Sequence, residues 1–219
     1  MRILVACEES QRVCCAFRNK GHEAYSCDLQ PCSGGHPEWH IMGNCLPLLN
    51  GHCTFLTEDC TLHCVGTKWD MIIAHPPYTF LCRASAVRMY PSKGCLDFKR
   101  YSKMLDAAGF FMCFLTADCD KICIENPIPL SIAPLPPATQ TIQPYFWKEF
   151  ADENFTKATN LWLKNLKPLV AKNFKDIETK PFVNCGSKRR KQGIAHSAKM
   201  RAKTFLGVAN AMAEQWGGD

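Results

Sequence analysis

The chain has 219 residues, 47% hydrophobic and 21% charged, with a formal net charge of +6. This composition describes one sizeable globular core and excludes a disordered or collagen-like chain. No run of 18 uninterrupted apolar residues occurs, so no membrane-spanning helix is expected.

The first residues, MRILVACEES, read as a strand over 2–7 rather than a secretory signal. A cytoplasmic location is expected, and the fifteen cysteines, an odd number, should be reduced there. EESQRVCCAFRNKG predicts a helix with an acidic first turn and a stop at Gly21. HEAYSCDL (22–29) reads as a second strand ending in Asp28, followed by a Gly/Pro-rich connection. Residues 52–69 alternate with period two around Glu58-Asp59, which predicts a β-hairpin insertion over 52–68.

A third strand (69–74) stops at His75-Pro76-Pro77-Tyr78, because neither proline can donate to a ladder. A long amphipathic helix is predicted over 99–117, then a buried strand KICIENP (121–127). The proline-rich stretch 131–144 reads as loop, 154–170 as a strand or two, and 197–217 as one helix. Strand–helix alternation predicts a single α/β domain over 1–219, a mostly parallel sheet with helices on both faces. Ligands bind such sheets outside the carboxyl ends of the strands.

Polar residues recur at those ends: Cys7-Glu8-Glu9-Ser10, Asp28, His75 and Glu125. A carboxylate such as Asp28 can accept from both hydroxyls of a ribose, although a turn or cap role is an equally local reading. The first strand lacks G-x-G-x-x-G, so a nucleoside-bearing cofactor without a pyrophosphate fits better than a dinucleotide. Residues 164–203 hold twelve Lys/Arg against Asp176 and Glu178, densest at SKRRKQ. This basic stretch is either a phosphate contact or a solvated loop. Cys53, Cys60, His63 and Cys64 include no C-x-x-C pair, so no metal is expected. Cys14, Cys15, Cys113, Cys123, the five tryptophans and Phe110-Phe111-Phe114 read as core.

MRILVACEESQ, GHEAYSCDLQ, SGGHPEWHI, WDMIIAHPP, IENP, FTKATNLWLKNL and RAKTFLGVANAMAEQWG together resemble the small phage-borne DNA cytosine methyltransferase-like proteins. These are similar to carbon-5 cytosine methyltransferases that use S-adenosylmethionine. The resemblance implies a Rossmann-like methyltransferase fold, and a phage origin would make the bacterial host cytoplasm the location. Cys7, Glu9 and Ser10 would then form the cofactor loop and Asp28 the ribose contact. Asn44 would stand where an acid usually meets the adenine amine, and Thr204 to Asn210 would close the pocket, with Pro76 also against the cofactor. Glu125 would contact the ring N3 edge of cytosine.

The resemblance departs from the family at its most important place. The family places its nucleophilic cysteine directly after Pro-Pro, and here Tyr78 stands there, a phenol with a pKa near 10. Cys82 lies four residues on. The same tetrapeptide, through His75, Pro77 and Tyr78, resembles the Asp/Asn/Ser-Pro-Pro-Tyr/Phe motif of amino-methyltransferases, with His75 in the first place. DNA is the expected partner, with its base flipped out of the stack. Lys188, Arg189, Arg190, Lys191 and Arg201 are the expected phosphate contacts, in a short segment (167–197) replacing a target-recognition region. A non-catalytic DNA-binding protein and an enzyme of free nucleotides are the other readings. A monomer is the expected state.

Overall fold

The computed structural model describes residues 1–171, 178–182 and 197–218. Lys188, Arg189, Arg190 and Lys191 lie outside the described residues. In chain order the elements begin β1 (Arg2–Ala6), α1 (Arg12–Arg18), β2 (Glu23–Asp28), β3 (His40–Met42), β4 (Cys53–Leu56) and β5 (Leu62–Val65). There follow β6 (Met71–Ala74), α2 (Ala86–Met89), α3 (Phe98–Leu115), β7 (Lys121–Pro127), β8 (Gln140–Ile142) and β9 (Phe155–Thr156). The last are β10 (Thr159–Lys164), β11 (Lys180–Pro181), α4 (Ala198–Ala202) and α5 (Leu206–Trp216).

Among the described residues the main sheet has seven strands in the order β3-β2-β1-β6-β7-β10-β8. The first five run parallel, and β10 is antiparallel to both its neighbours. Strands β4 and β5 pair antiparallel in a separate two-stranded sheet, Cys53 opposite Val65 and Leu56 opposite Leu62. The central strands are buried on both faces, which is why they read as continuous apolar runs. Their period-two alternation divides the core. Leu4, Ile72, Ile122 and Ile124 pack with Met104, Ala108, Phe111 and Phe114 of α3. Ile3, Val5, Met71, Ile73 and Cys123 pack with Val13 and Phe17 of α1 and Val208, Met212 and Trp216 of α5. The sequence order reverses at β1, so the crevice between the ends of β1 and β6 is the switch point.

Several local expectations need correction. The first helix begins at Arg12, not Glu8, because Glu8 caps it from outside. Its carboxylate accepts from the Val13 and Cys14 amides at 2.7 and 3.1 Å. Cys7 and Gln11, at φ 59° and 56°, carry the loop through left-handed backbone that side chains rarely adopt. The stretch read as loop over 131–144 includes edge strand β8, and His40–Met42 adds a short strand beside β2. Cys113 is exposed rather than core. The single helix expected over 197–217 is two, broken by extended backbone at Lys203 and Phe205. Between them Thr204 is held by hydrogen bonds to β-strand ends, which a continuous helix could not reach.

Helix α5 approaches the rest of the fold through Gly207, where a Cβ would lie 2.7 Å from the backbone oxygen of Trp147. Gly207→Ala is therefore expected to destabilise the fold by about 1–3 kcal/mol through overpacking. A lower denaturant midpoint at unchanged m-value would show it.

Candidate functional site

The site is built by register. Ala6 pairs with Cys27 on one side and Ala74 on the other, and Ala74 pairs with Ile124. One residue further on, Asp28, Cys7, His75 and Glu125 stand in a row across the ends of four adjacent strands. The backbone ladder continues into that row, with His75 N donating to Ala6 O at 2.9 Å and Glu8 N to Cys27 O at 3.2 Å. A cavity of about 720 Å³ opens above it. One side of its lining is Cys7, Glu8, Glu9, Ser10 and Asp28, and the other is His75, Pro76, Pro77, Tyr78, Cys82 and Glu125. Asn126, Lys157, Arg201 and Thr204 also line it.

The deepest groups form a compact charged cluster. His75 Nδ1 lies 3.0 Å from Glu125 Oε2, and both side chains are only 10% exposed. Thr204 donates its hydroxyl proton to the same carboxylate oxygen at 3.0 Å. Burial alone would lower the pKa of His75, but the hydrogen bond and charge of Glu125, aided by Glu8, outweigh it and raise the imidazole. Burial would likewise raise Glu125, yet the His75 bond and charge, with Lys157 and Thr204, hold it below its ordinary value. Glu8 is raised by burial, against the pull of His75 and of the helix amides. Burial lowers Lys157, opposed by the charge of Glu125. Its ammonium donates to Arg201 O at 2.8 Å and lies 5.4 Å from the Phe205 ring centre.

The two prolines are followed by the half-buried Tyr78. Burial raises its phenol, opposed by the charge and hydrogen bond of Arg201. Cys82 lines the same cavity, and its amide bonds to Tyr78 O at 3.0 Å. Cys7 is no ready thiolate: its contact with Cys45 (Sγ–Sγ 3.9 Å) and its burial hold the thiol well above the usual range. On the acidic side, Asp28 Oδ1 accepts from Gln30 N at 2.9 Å. Glu9 accepts from the Ser33 hydroxyl and lies 4.0 Å from Lys203 Nζ.

The structure thus brings Cys7, Glu9, Ser10, Asp28, His75, Pro76, Pro77, Tyr78, Glu125 and Arg201 to one cavity. It leaves Asn44 and Asn210 off the lining. Asn44 is exposed, its side chain accepting from Leu46 N at 3.1 Å, and it follows the edge strand β3, with β2 between it and the switch point. Asn210 is half-buried on α5. Sequence reading missed Lys157, which no local pattern marks, and gave no role to Asn126, although it stands in the quoted IENP. It also missed a second basic region whose signal was present: residues 83–103 hold six Lys/Arg against Asp97 alone. There Phe80, Arg88, Asp97, Lys99, Arg100 and Lys103 line a hollow of about 220 Å³. The Arg100 guanidinium lies 4.9 Å and the Lys103 ammonium 5.5 Å from the Phe80 ring centre. Arg88 borders both hollows, so this basic surface meets the mouth of the main cavity.

No protein-family model matches the chain, and no curated protein matches it significantly.

The His75–Glu125 pair makes stability depend on pH in a stated direction. The His75 contribution is complete below its ordinary value of 6.5 and is lost as pH rises through the raised folded value. The Glu125 contribution is complete above 4.5 and is lost as pH falls through the lowered folded value. The stability difference between the unaltered chain and Glu125→Gln is thus expected to be largest between pH 4.5 and 6.5 and to shrink toward alkaline pH. Denaturant titrations across the range would measure it.

Proposed function

We propose that this chain is an S-adenosylmethionine-dependent methyltransferase acting on a nucleobase of DNA, built on the carbon-5 pattern with Tyr78 in the nucleophile's place. The observation that carries this reading is the single cavity joining the Asp28–Ser10 side to the His75–Tyr78–Glu125 side at the switch point. Its volume of about 720 Å³ lies within the range of small-molecule sites. Two ligands meeting over one row of strand ends is what a group transfer requires.

The residues present suit a sulfonium nucleoside. The α1 amides that would cradle a phosphate already bond to Glu8, which leaves them closed to a pyrophosphate. Among the described residues, Asp28 keeps one carboxylate oxygen beyond its bond to Gln30 N for a ribose diol. Glu8, Glu9 and Asp28 present acids to a cofactor whose reactive centre is cationic. When bound, S-adenosylmethionine supplies an electrophilic methyl group. Tyr78 offers the base a stacking face, and its raised phenol stays protonated at neutral pH, so it does not add to a pyrimidine ring. The basic hollow around Phe80 suits the phosphates flanking a flipped base.

Asp28→Ala is expected to weaken S-adenosylmethionine binding at least roughly ten-fold, about the worth of a charge-assisted hydrogen bond. Isothermal calorimetry on the full chain measures it, and unchanged affinity would sink the cofactor assignment. For the basic hollow, Lys99→Ala with Lys103→Ala should lower the salt slope of oligonucleotide binding by roughly one for each phosphate no longer neutralised. Fluorescence anisotropy at several salt concentrations gives the slope.

A further inference from the structure

We infer that the surface formed by α2 and the first turns of α3 seats an unpaired stretch of DNA, so that the substrate is single-stranded or locally opened. The inference rests on the methyltransferase reading above and concerns the form of the DNA that reaches the cavity.

Six cations crowd this segment: Arg83, Arg88, Lys93, Lys99, Arg100 and Lys103. None of them forms an ion pair with a carboxylate among the described residues. The one acid of the segment, Asp97, is used locally: its Oδ1 caps α3 by accepting from Arg100 N at 3.0 Å. Arg100 in turn donates to Thr79 O at 3.0 Å and lies over the Phe80 ring. A surface of cations without protein counter-charges suits a polyanion, and a strand of phosphodiesters is one.

Charge alone does not distinguish a single strand from a duplex; the apolar groups among these cations do. Phe98 is 77% exposed, Val87 82% and Tyr90 40%. Phe98 stands between Asp97 and Lys99, which both line the basic hollow, and Tyr90 follows two residues after Arg88, which lines it as well. The Asp97 amide donates to Met89 O at 3.0 Å, so Tyr90 and Phe98 diverge from one point of the backbone. A bridge between Ser92 and Cys95 closes the loop that joins them. Two exposed aromatic residues are thereby fixed beside the cationic hollow.

In a duplex the base faces are stacked on one another and closed to a protein ring. An unpaired strand offers them, and aromatic rings along a cationic groove are how single strands are held. Cations with exposed apolar side chains would also suit an anionic membrane surface. Position decides between the two: Arg88 lines both the basic hollow and the main cavity. A strand lying on the hollow therefore leads directly to the nucleotide whose base enters the cavity. An unpaired base also enters at lower cost, because no pair has to be opened.

The test uses the full chain and fluorescence anisotropy with a labelled DNA oligonucleotide, alone and annealed to its complement. The single strand is expected to bind at least roughly ten-fold more tightly than the duplex. Phe98→Ala, at an exposed position, should weaken single-strand binding by roughly 5- to 150-fold, the worth of one stacked base, at an unchanged salt slope. Phe98→Trp should retain the affinity. Equal or tighter binding of the duplex would overturn the inference, as would single-strand affinity unchanged in Phe98→Ala. Binding to phosphatidylglycerol vesicles that Phe98→Ala abolishes, with oligonucleotide affinity untouched, would overturn it in favour of a membrane surface. Single-strand binding that Phe98→Ala weakens, in a chain that shows no calorimetric binding of S-adenosylmethionine, would instead overturn the methyltransferase reading.

Discussion

The site exists because the parallel pairing of four strands aligns one residue from each. Cys27, Ala6, Ala74 and Ile124 pair in succession, so the next residues form one polar row, Asp28–Cys7–His75–Glu125. Three strand spacings make that row roughly 14 Å long, enough to seat a nucleoside at one end and a second ring at the other. Slipping β6 by one residue would turn its side chains to the opposite face and expose Met71–Ala74 on the wrong core. The two apolar clusters, each built on alternate residues of the same strands, therefore hold the polar row in place.

Above that row the fold concentrates charge where burial opposes it. Glu8, His75, Glu125 and Lys157 all line the cavity, and three devices hold them. Helix amides bind Glu8, and the carboxylate–imidazole contact joins Glu125 to His75. A backbone carbonyl and an aromatic ring hold Lys157. Removing one member of such a set leaves its partner buried and uncompensated, which is the costly case for ion pairs. Buried clusters that shift several pKa values in a cleft are more often found at working sites than in structural cores.

The C-terminal segment joins the two halves of the cavity. Thr204 reaches His75 and Glu125, while Lys203 bonds Ser33 Oγ at 2.9 Å near Glu9. Arg12 donates to Thr204 O at 2.7 Å, so α1 also secures this segment. Helix α5 follows directly and is buried against α1. Two cavity residues, Lys203 and Thr204, thus sit immediately before the element whose packing positions them. In the proposed function this segment keeps both ligands against the strand ends.

Apolar runs and prolines are local signals, so the strands over 2–7 and 121–127, the stop at His75-Pro76-Pro77, and the acids at Asp28 and Glu125 were all legible in the sequence. The α/β class followed from the alternation of those runs with helical stretches. What no local pattern could supply was the register that makes Cys7, Asp28, His75 and Glu125 neighbours, because register depends on which strands pair and where. The break between α4 and α5 had the same origin: Thr204 leaves the helix to bond residues 79 and 129 positions away. Lys157 reads as one more lysine in its segment and becomes a site residue only where the turn before β10 returns to the end of β7. Asn44, placed in the site by the resemblance, lies outside the cavity because it follows the edge strand β3, two strands away from β1. Sequence determined the strand ends and their chemistry; tertiary structure decided which of them share a cavity, since that depends on pairing between residues far apart in the chain.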